Sequence, residues 1–139
     1  MEKYLHKVNY YETDKMGITH HSNYIRWMEE ARINFLDQVG FGYDKLEANG
    51  VFSPVLSVEC DYKKSTTFGD TVAIEVTVEE YKGARFSICY TMQNVKTGDI
   101  VLVGKTGHCF VNGQGRPVLL RKVLPEFDGI LKSLMQPSL

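Results

Sequence analysis

A chain of 139 residues is the length of one domain, and such a domain can bury roughly two-thirds of its unfolded surface without disulfide or metal staples. The composition is 43% hydrophobic and 24% charged, ordinary for a globular protein, and the formal net charge of -1 lacks the basic excess of a nucleic-acid binder. No apolar run approaches the ~20 residues of a membrane span, and the opening MEKYLHKVNYYE has no apolar core of the kind a secretory signal carries. Residues 1–139 are expected to form a single domain, without repeats or linkers.

Three cysteines, Cys60, Cys89 and Cys109, are odd in number, widely spaced and free of any CxxC pattern. They read as reduced thiols of a cytoplasmic protein, buried in strands rather than reactive.

In chain order, YLHKVNYYE has β-type composition and predicts a first strand. From Ser22 the period changes. Tyr24, Trp27, Met28, Ala31, Phe35 and Val39 fall on one helical stripe, while Arg26, Glu29, Glu30, Arg32, Asn34 and Asp37 fill much of the rest. Ser22 is the expected N-cap and Gly40 the stop, a helix of about five turns. A short helical turn is expected over Tyr43 to Ala48. SPVLSVECDYKKS then reads as extended. TVAIEVTVEE alternates, with Val72, Ile74, Val76 and Val78 on one face, and ARFSICYTMQNV repeats the pattern with Phe86, Ile88, Tyr90 and Met92. KTGD predicts a hairpin turn with a positive φ at glycine. IVLVGKTGHCFVN is the last strand, where Gly104 and Gly107 would let a helix or ligand approach closely. EFDGILKSLM, after Pro125, reads as a weak helix or loose tail. One long helix followed by four strands on short turns predicts the α+β class with an antiparallel sheet.

The region between first strand and helix carries the chemistry. Tyr10 to Arg32 contain Y-x-E-T-D-x-x-G-x-x-x-H-x-N-Y-x-x-W-x-E-x-A-R. This pattern resembles the N-terminal signature of hot-dog fold thioesterases, nearest to acyl-CoA thioesterases of the 4-hydroxybenzoyl-CoA thioesterase class and to the small thioesterases of the Tol–Pal cluster. YKKSTTFGDTV and TGHCFVNGQGRP extend the resemblance over most of the chain, with less specificity. The resemblance implies a curved sheet wrapping the long helix, a homodimer or homotetramer with active sites between subunits, and hydrolysis of an acyl-CoA without cofactor or metal. It matches Asp14 to the catalytic aspartate, His21 to a site histidine, Tyr10 to a supporting tyrosine, and Glu29 to a motif glutamate of unassigned role. Departures occur at Met16, Thr19 and His20. Those at Met16 and His20 bear on acyl preference more than on the reaction.

Elementary chemistry agrees. Thioester hydrolysis needs an activated nucleophile and a donor for the carbonyl oxygen as it gains charge. Free N–H groups at a helix start are such donors, at the positive end of the helix dipole. Asp14 could attack the carbonyl or deprotonate a water, with help from His21; the sequence leaves both routes open.

Each residue also has a plainer reading. Aspartate stabilises turns before helices. Adjacent histidines seldom converge on one metal, and no HxH, HExxH or CxxC pattern occurs. His6 and His108 lie on strands and read as structural. Glu29 could simply solvate the helix, and Trp27, Met28 and Phe35 read as core. The coenzyme A phosphates call for cations, and Lys63, Lys64 and Arg116 are the candidates, with Arg85, Arg121 and Lys122 behind them. The expected activity is an acyl-CoA thioesterase with Asp14, His21 and Tyr10 in its site. The alternatives are hydrolysis of an acyl carrier protein thioester and non-catalytic acyl-CoA binding; a hot-dog dehydratase fits the motif less well.

Overall fold

Alternating apolar residues in the strand runs and the 3.6-residue stripe after Ser22 produce five strands and one long helix. The computed structural model describes residues 1–135. Its elements are β1 (Tyr4–Lys7), a 3-10 turn (Tyr10–Glu12), α1 (Ser22–Gln38), α2 (Tyr43–Ala48), β2 (Val55–Tyr62), β3 (Thr71–Lys82), β4 (Arg85–Asn94), β5 (Ile100–Cys109), α3 (Leu120–Val123) and α4 (Pro125–Leu134). The strands form one antiparallel sheet in the order β1-β3-β4-β5-β2, which is the α+β class expected. Tyr4 of β1 pairs with Ile74 of β3, and Lys7 with Thr71.

Two compact units are distinguished by their internal contacts. The first comprises Met1–Phe35, Cys60–Val76 and Tyr90–Gly104; the second comprises Leu36–Glu59, Thr77–Cys89 and the segment from Lys105 onward.

In the first unit, the α1 stripe Tyr24, Trp27, Met28, Ala31 and Phe35 is buried, together with Val72, Ile74, Tyr90 and Met92. Burying each large side chain contributes roughly 1.5–3 kcal/mol. Arg32 departs from the polar face assigned to it. It is buried, and its guanidinium donates to the Tyr90 hydroxyl at 3.1 Å. The first strand is shorter than expected, because Tyr10–Glu12 turn away as a 3-10 helix. Ser22 is the first helical residue rather than the cap. Its N–H donates to the His20 ring nitrogen Nδ1 at 3.2 Å, so a histidine does the capping. The KTGD turn is confirmed, with Gly98 at φ 77°.

In the second unit, Gly40 takes φ 85° and the Phe41 N–H closes back onto the Leu36 carbonyl at 3.0 Å, a Schellman-type stop. The segment after Pro125 is a helix, not a loose tail. Pro125 supplies its first turn, and Phe127 and Leu131 are fully buried. Phe127 stacks on Phe41 at 4.8 Å and meets Phe110 edge-on at 5.8 Å. The Tyr81 hydroxyl donates to Asp128 at 2.5 Å. The close approach at Gly107 is made by a strand neighbour, Ser57 of β2, whose Oγ would lie 2.6 Å from an added Cβ.

The thiols Cys60, Cys89 and Cys109 are free and half-buried rather than fully buried. Burial pushes the Cys60 and Cys89 thiols up, away from the reactive thiolate. Among the described residues, no helix is long and apolar enough to cross a membrane.

Candidate active site

Asp14 sits in a tight, exposed turn of the first unit. Its N–H donates to the Ile18 carbonyl at 2.9 Å, and its own carbonyl accepts from the Gly17 N–H at 2.9 Å. Gly17 turns the chain at φ 78°, where a side chain would be strained. One carboxylate oxygen of Asp14 accepts from the Met16 N–H at 2.8 Å. This is the turn-stabilising role of aspartate. The other oxygen takes no hydrogen bond among the described residues. The turn is held by bridges between Thr13 and Thr19 and between Ile18 and Thr67, and by the Thr67 hydroxyl donating to the Gly17 carbonyl at 2.8 Å.

The chain then enters α1, and its N–H groups can be followed one by one. Thr19 donates to Thr66, His20 to Glu12, Ser22 to the His20 ring, Asn23 to the His20 carbonyl and Tyr24 to the His21 carbonyl. From Thr19 to Tyr24, His21 alone has an N–H with no acceptor among the described residues. It stands at the helix start, where backbone donors and the dipole favour negative charge.

His21 also lines a cavity of about 240 Å³ with Ile18, Thr19, Tyr24, Tyr62, Lys63, Lys64 and Ser65. Three of its eight lining residues carry rings. The Tyr62 ring meets His21 at 6.4 Å and Tyr24 at 5.6 Å, both edge-on. The Tyr62 hydroxyl donates to the His21 carbonyl at 3.4 Å, and Tyr24 and Thr19 share the buried Thr66 hydroxyl. Burial first, then the neighbouring Cys60, pushes the Tyr62 phenol up, so it stays a donor at neutral pH. His20 stacks on His21 at 4.3 Å but faces Ser22 and lies outside the lining.

A family model described as thioesterase-like superfamily matches residues 8–135. The chain belongs to this superfamily. The hot-dog fold and the enzyme class, a thioester hydrolase, follow with the family. A Bacillus subtilis (strain 168) protein named "Putative acyl-CoA thioesterase YneP" is 34% identical over 122 residues, covering 87% of this chain and 88% of the relative. A 1,4-dihydroxy-2-naphthoyl-CoA hydrolase of Thermosynechococcus vestitus is 26% identical over 109 residues, covering 78% and 74%. The crystal structure of a DHNA-CoA thioesterase from Staphylococcus aureus superimposes with a TM-score of 0.89 at 30% identity, covering 95% of this chain and 89% of that one.

Of the residues singled out in this thioesterase-like chain, His21, Lys63 and Lys64 line the cavity, and the Asp14 turn leads into its Ile18–Thr19 edge. Tyr10 does not line it. Its ring is 76% exposed, edge-on to Phe68 at 5.7 Å. Glu29 is exposed on α1, and Lys63 pairs with Asp61 at 2.7 Å. Arg116 belongs to the second unit, in an exposed turn closed onto Asn112.

Sequence reasoning missed Glu12, which is 5% exposed at the base of the Asp14 turn. One carboxylate oxygen accepts from the Asn9 N–H at 2.8 Å, the Asn9 amide at 3.2 Å and faces His6 Nε2 at 2.9 Å; the other accepts from the Trp27 indole at 2.7 Å. Burial would raise its pKa, but the bonds from Asn9, His6 and Trp27 outweigh it and hold the carboxyl below its usual range. The signal was available: Asn9 followed three residues later by Glu12 is a capping-box spacing. His6 is indeed structural, its ring 4.4 Å from Trp27 and its other nitrogen 3.6 Å from Glu30.

The second unit contains a separate cavity of about 520 Å³, whose charged lining mixes Lys82, Arg85 and Lys105 with Glu80, beside His108, the serines Ser57 and Ser87, Gly107 and apolar Leu56 and Phe86. Lys105 is paired with Glu79 at 2.9 Å, which raises the lysine and lowers the carboxyl.

Proposed function

We propose that this chain hydrolyses the thioester of an acyl-CoA to the free acid and CoA. The carrying observation is the unoccupied His21 N–H at the start of α1, beside a cavity and at the end of the loop holding Asp14. A carbonyl oxygen docked on that N–H is polarised as it gains charge. Asp14, with one oxygen in its turn and one without a partner, either attacks the carbonyl to form an anhydride or takes a proton from an attacking water. The tetrahedral intermediate then expels the CoA thiolate, which is protonated; an anhydride would be opened by water. The His21 ring orients the substrate beside Tyr62, and Tyr10 is assigned a supporting polar role near the turn.

The substrate reading rests on the names of the relatives, a putative acyl-CoA thioesterase and a 1,4-dihydroxy-2-naphthoyl-CoA hydrolase. Lys63 and Lys64 at the cavity are offered to the CoA phosphates; Arg116 remains a candidate cation from the sequence, and Glu29 is a weaker candidate contact. Residues 1–139 act as one domain in the cytoplasm, in agreement with the three free thiols. A homodimer or homotetramer is inferred from β2. This edge strand is exposed along nearly its whole length, with Val55, Leu56 and Val58 open, as suits pairing with a second copy.

The test is thiol release from short, medium, long, branched and aromatic acyl-CoAs, with a protein-only blank for the three cysteines. Turnover of at least one acyl-CoA is expected. Turnover of an acyl carrier protein thioester only would move the substrate to the carrier. Tight acyl-CoA binding without thiol release would make the chain a binding protein.

A further inference from the structure

We propose that Glu12 is a positioning residue for this reaction, clamping the Asp14 turn and the His21 N–H into one arrangement; the inference rests on the function proposed above. A buried carboxylate is costly unless its oxygens are satisfied. Here they face four donors, from Asn9, His6 and Trp27. Its placement is more specific than stability alone requires. Glu12 lies two residues before Asp14. Its main-chain carbonyl accepts from the His20 N–H at 2.8 Å and from the Asn23 side chain at 3.0 Å. His20 directly precedes His21, and Asn23 lies in the first turn of α1. One residue therefore joins the strand side (His6), the turn (Asn9), the helix (Trp27, Asn23) and the segment before His21.

The loop between them carries the reacting groups. Thr13 and Thr19 bridge just beyond the clamp, so Asp14 to Ile18 form a closed excursion whose two roots meet at Glu12. Loss of the carboxylate's bonds to Asn9, His6 and Trp27 would release the Glu12 main chain, and with it the carbonyl that holds the His20 N–H. A misplacement of about 1 Å between reacting groups lowers a rate on the order of 100-fold. Glu12 touches no substrate; it acts through Asp14 and His21.

The experiment compares wild type, Glu12→Gln and Trp27→Phe. Glu12→Gln keeps the shape but turns an acceptor-only group into one that confronts a donor with its amide. Trp27→Phe removes one donor while keeping an aromatic ring. Steady-state kinetics on the best acyl-CoA should show kcat down about 10- to 100-fold for Glu12→Gln, a smaller drop for Trp27→Phe, and KM within about twofold for both. Hydrogen exchange at the His20 amide should be about tenfold faster in both variants. The Phe110 amide, bonded to Ala84 at 2.7 Å in the second unit, serves as the control and should not change. Retained kcat with unchanged His20 exchange would overturn the inference, as would equal acceleration at Phe110, which would mark general destabilisation. Should Glu12→Gln not fold, Trp27→Phe decides on the same readouts. A wild type without thioesterase activity would overturn the functional reading, whereas exchange at His20 reads the clamp by itself.

Discussion

The hydroxyl of Tyr62, the last residue of β2, donates to the main-chain carbonyl of His21, the residue before α1, over 3.4 Å. The bond is long, and the ring does more than the hydroxyl. It walls the cavity edge-on to both His21 and Tyr24. Tyr62→Phe should therefore change kcat/KM less than threefold. Tyr62→Ala should raise KM for aromatic acyl-CoAs about two- to tenfold, the scale of one lost aromatic contact of roughly 0.5–1.5 kcal/mol. Kinetics on paired aromatic and straight-chain substrates check this, and an equal effect on both classes would contradict it.

The cations of the cavity beside His21 give a different signature. Lys63 is engaged with Asp61 at 2.7 Å, whereas Lys64 forms no ion pair among the described residues. With Lys64 on a CoA phosphate, Lys64→Ala should raise KM for an acyl-CoA about 10-fold, the worth of a charge-assisted hydrogen bond. The same acyl group on pantetheine, which lacks the nucleotide, should be unaffected. Equal KM changes for both thioesters would remove Lys64 from the phosphate contact.

Stability at the extremes of pH should pass through Tyr81 and Asp128. Burial first, then Asp128, raises the Tyr81 phenol strongly, while the Tyr81 hydroxyl and Lys132 hold Asp128 below its usual range. A raised folded pKa means that the Tyr81 contribution is complete below the ordinary phenol range and is lost as pH climbs through the folded value. A lowered folded pKa means that the Asp128 contribution is complete above the ordinary carboxyl range and is lost as pH falls through its folded value. Tyr81→Phe should cost about 1 kcal/mol at neutral pH and flatten both limbs of the stability curve. Urea midpoints from acid to alkaline pH check this; parallel curves for wild type and variant would contradict it.

The strands were legible because their pattern is periodic. Phe86, Ile88, Tyr90 and Met92 alternate in the sequence and are buried in the structure. The long helix was legible for the same reason, except at Arg32. A charged residue on a helix reads as exposed until its tertiary partner, Tyr90, is known. The tail after Pro125 looked weak because its helix is defined by Phe127 and Leu131 docking on Phe41 and Phe110, far away in sequence. At the candidate site, the motif pointed to Asp14 and His21, but not to what surrounds them. Glu12 hid inside that motif, since a glutamate in a turn is normally solvated. Tyr24 was read as core and proves to line the cavity while remaining buried. Tyr62 lies in the edge strand β2, whose exposure depends on strand order.

The proposed chemistry turns on Asp14 as the attacking or proton-accepting carboxylate. Its most direct test is the single-turnover rate of thiol release by Asp14→Asn beside wild type, on the best acyl-CoA. The variant keeps the side-chain oxygen that accepts from Met16, so the turn should persist. A fall in rate on the order of 100- to 10,000-fold, with acyl-CoA affinity within a few-fold, is predicted. A variant that releases thiol at the wild-type rate would contradict the assignment and leave the fold and family untouched.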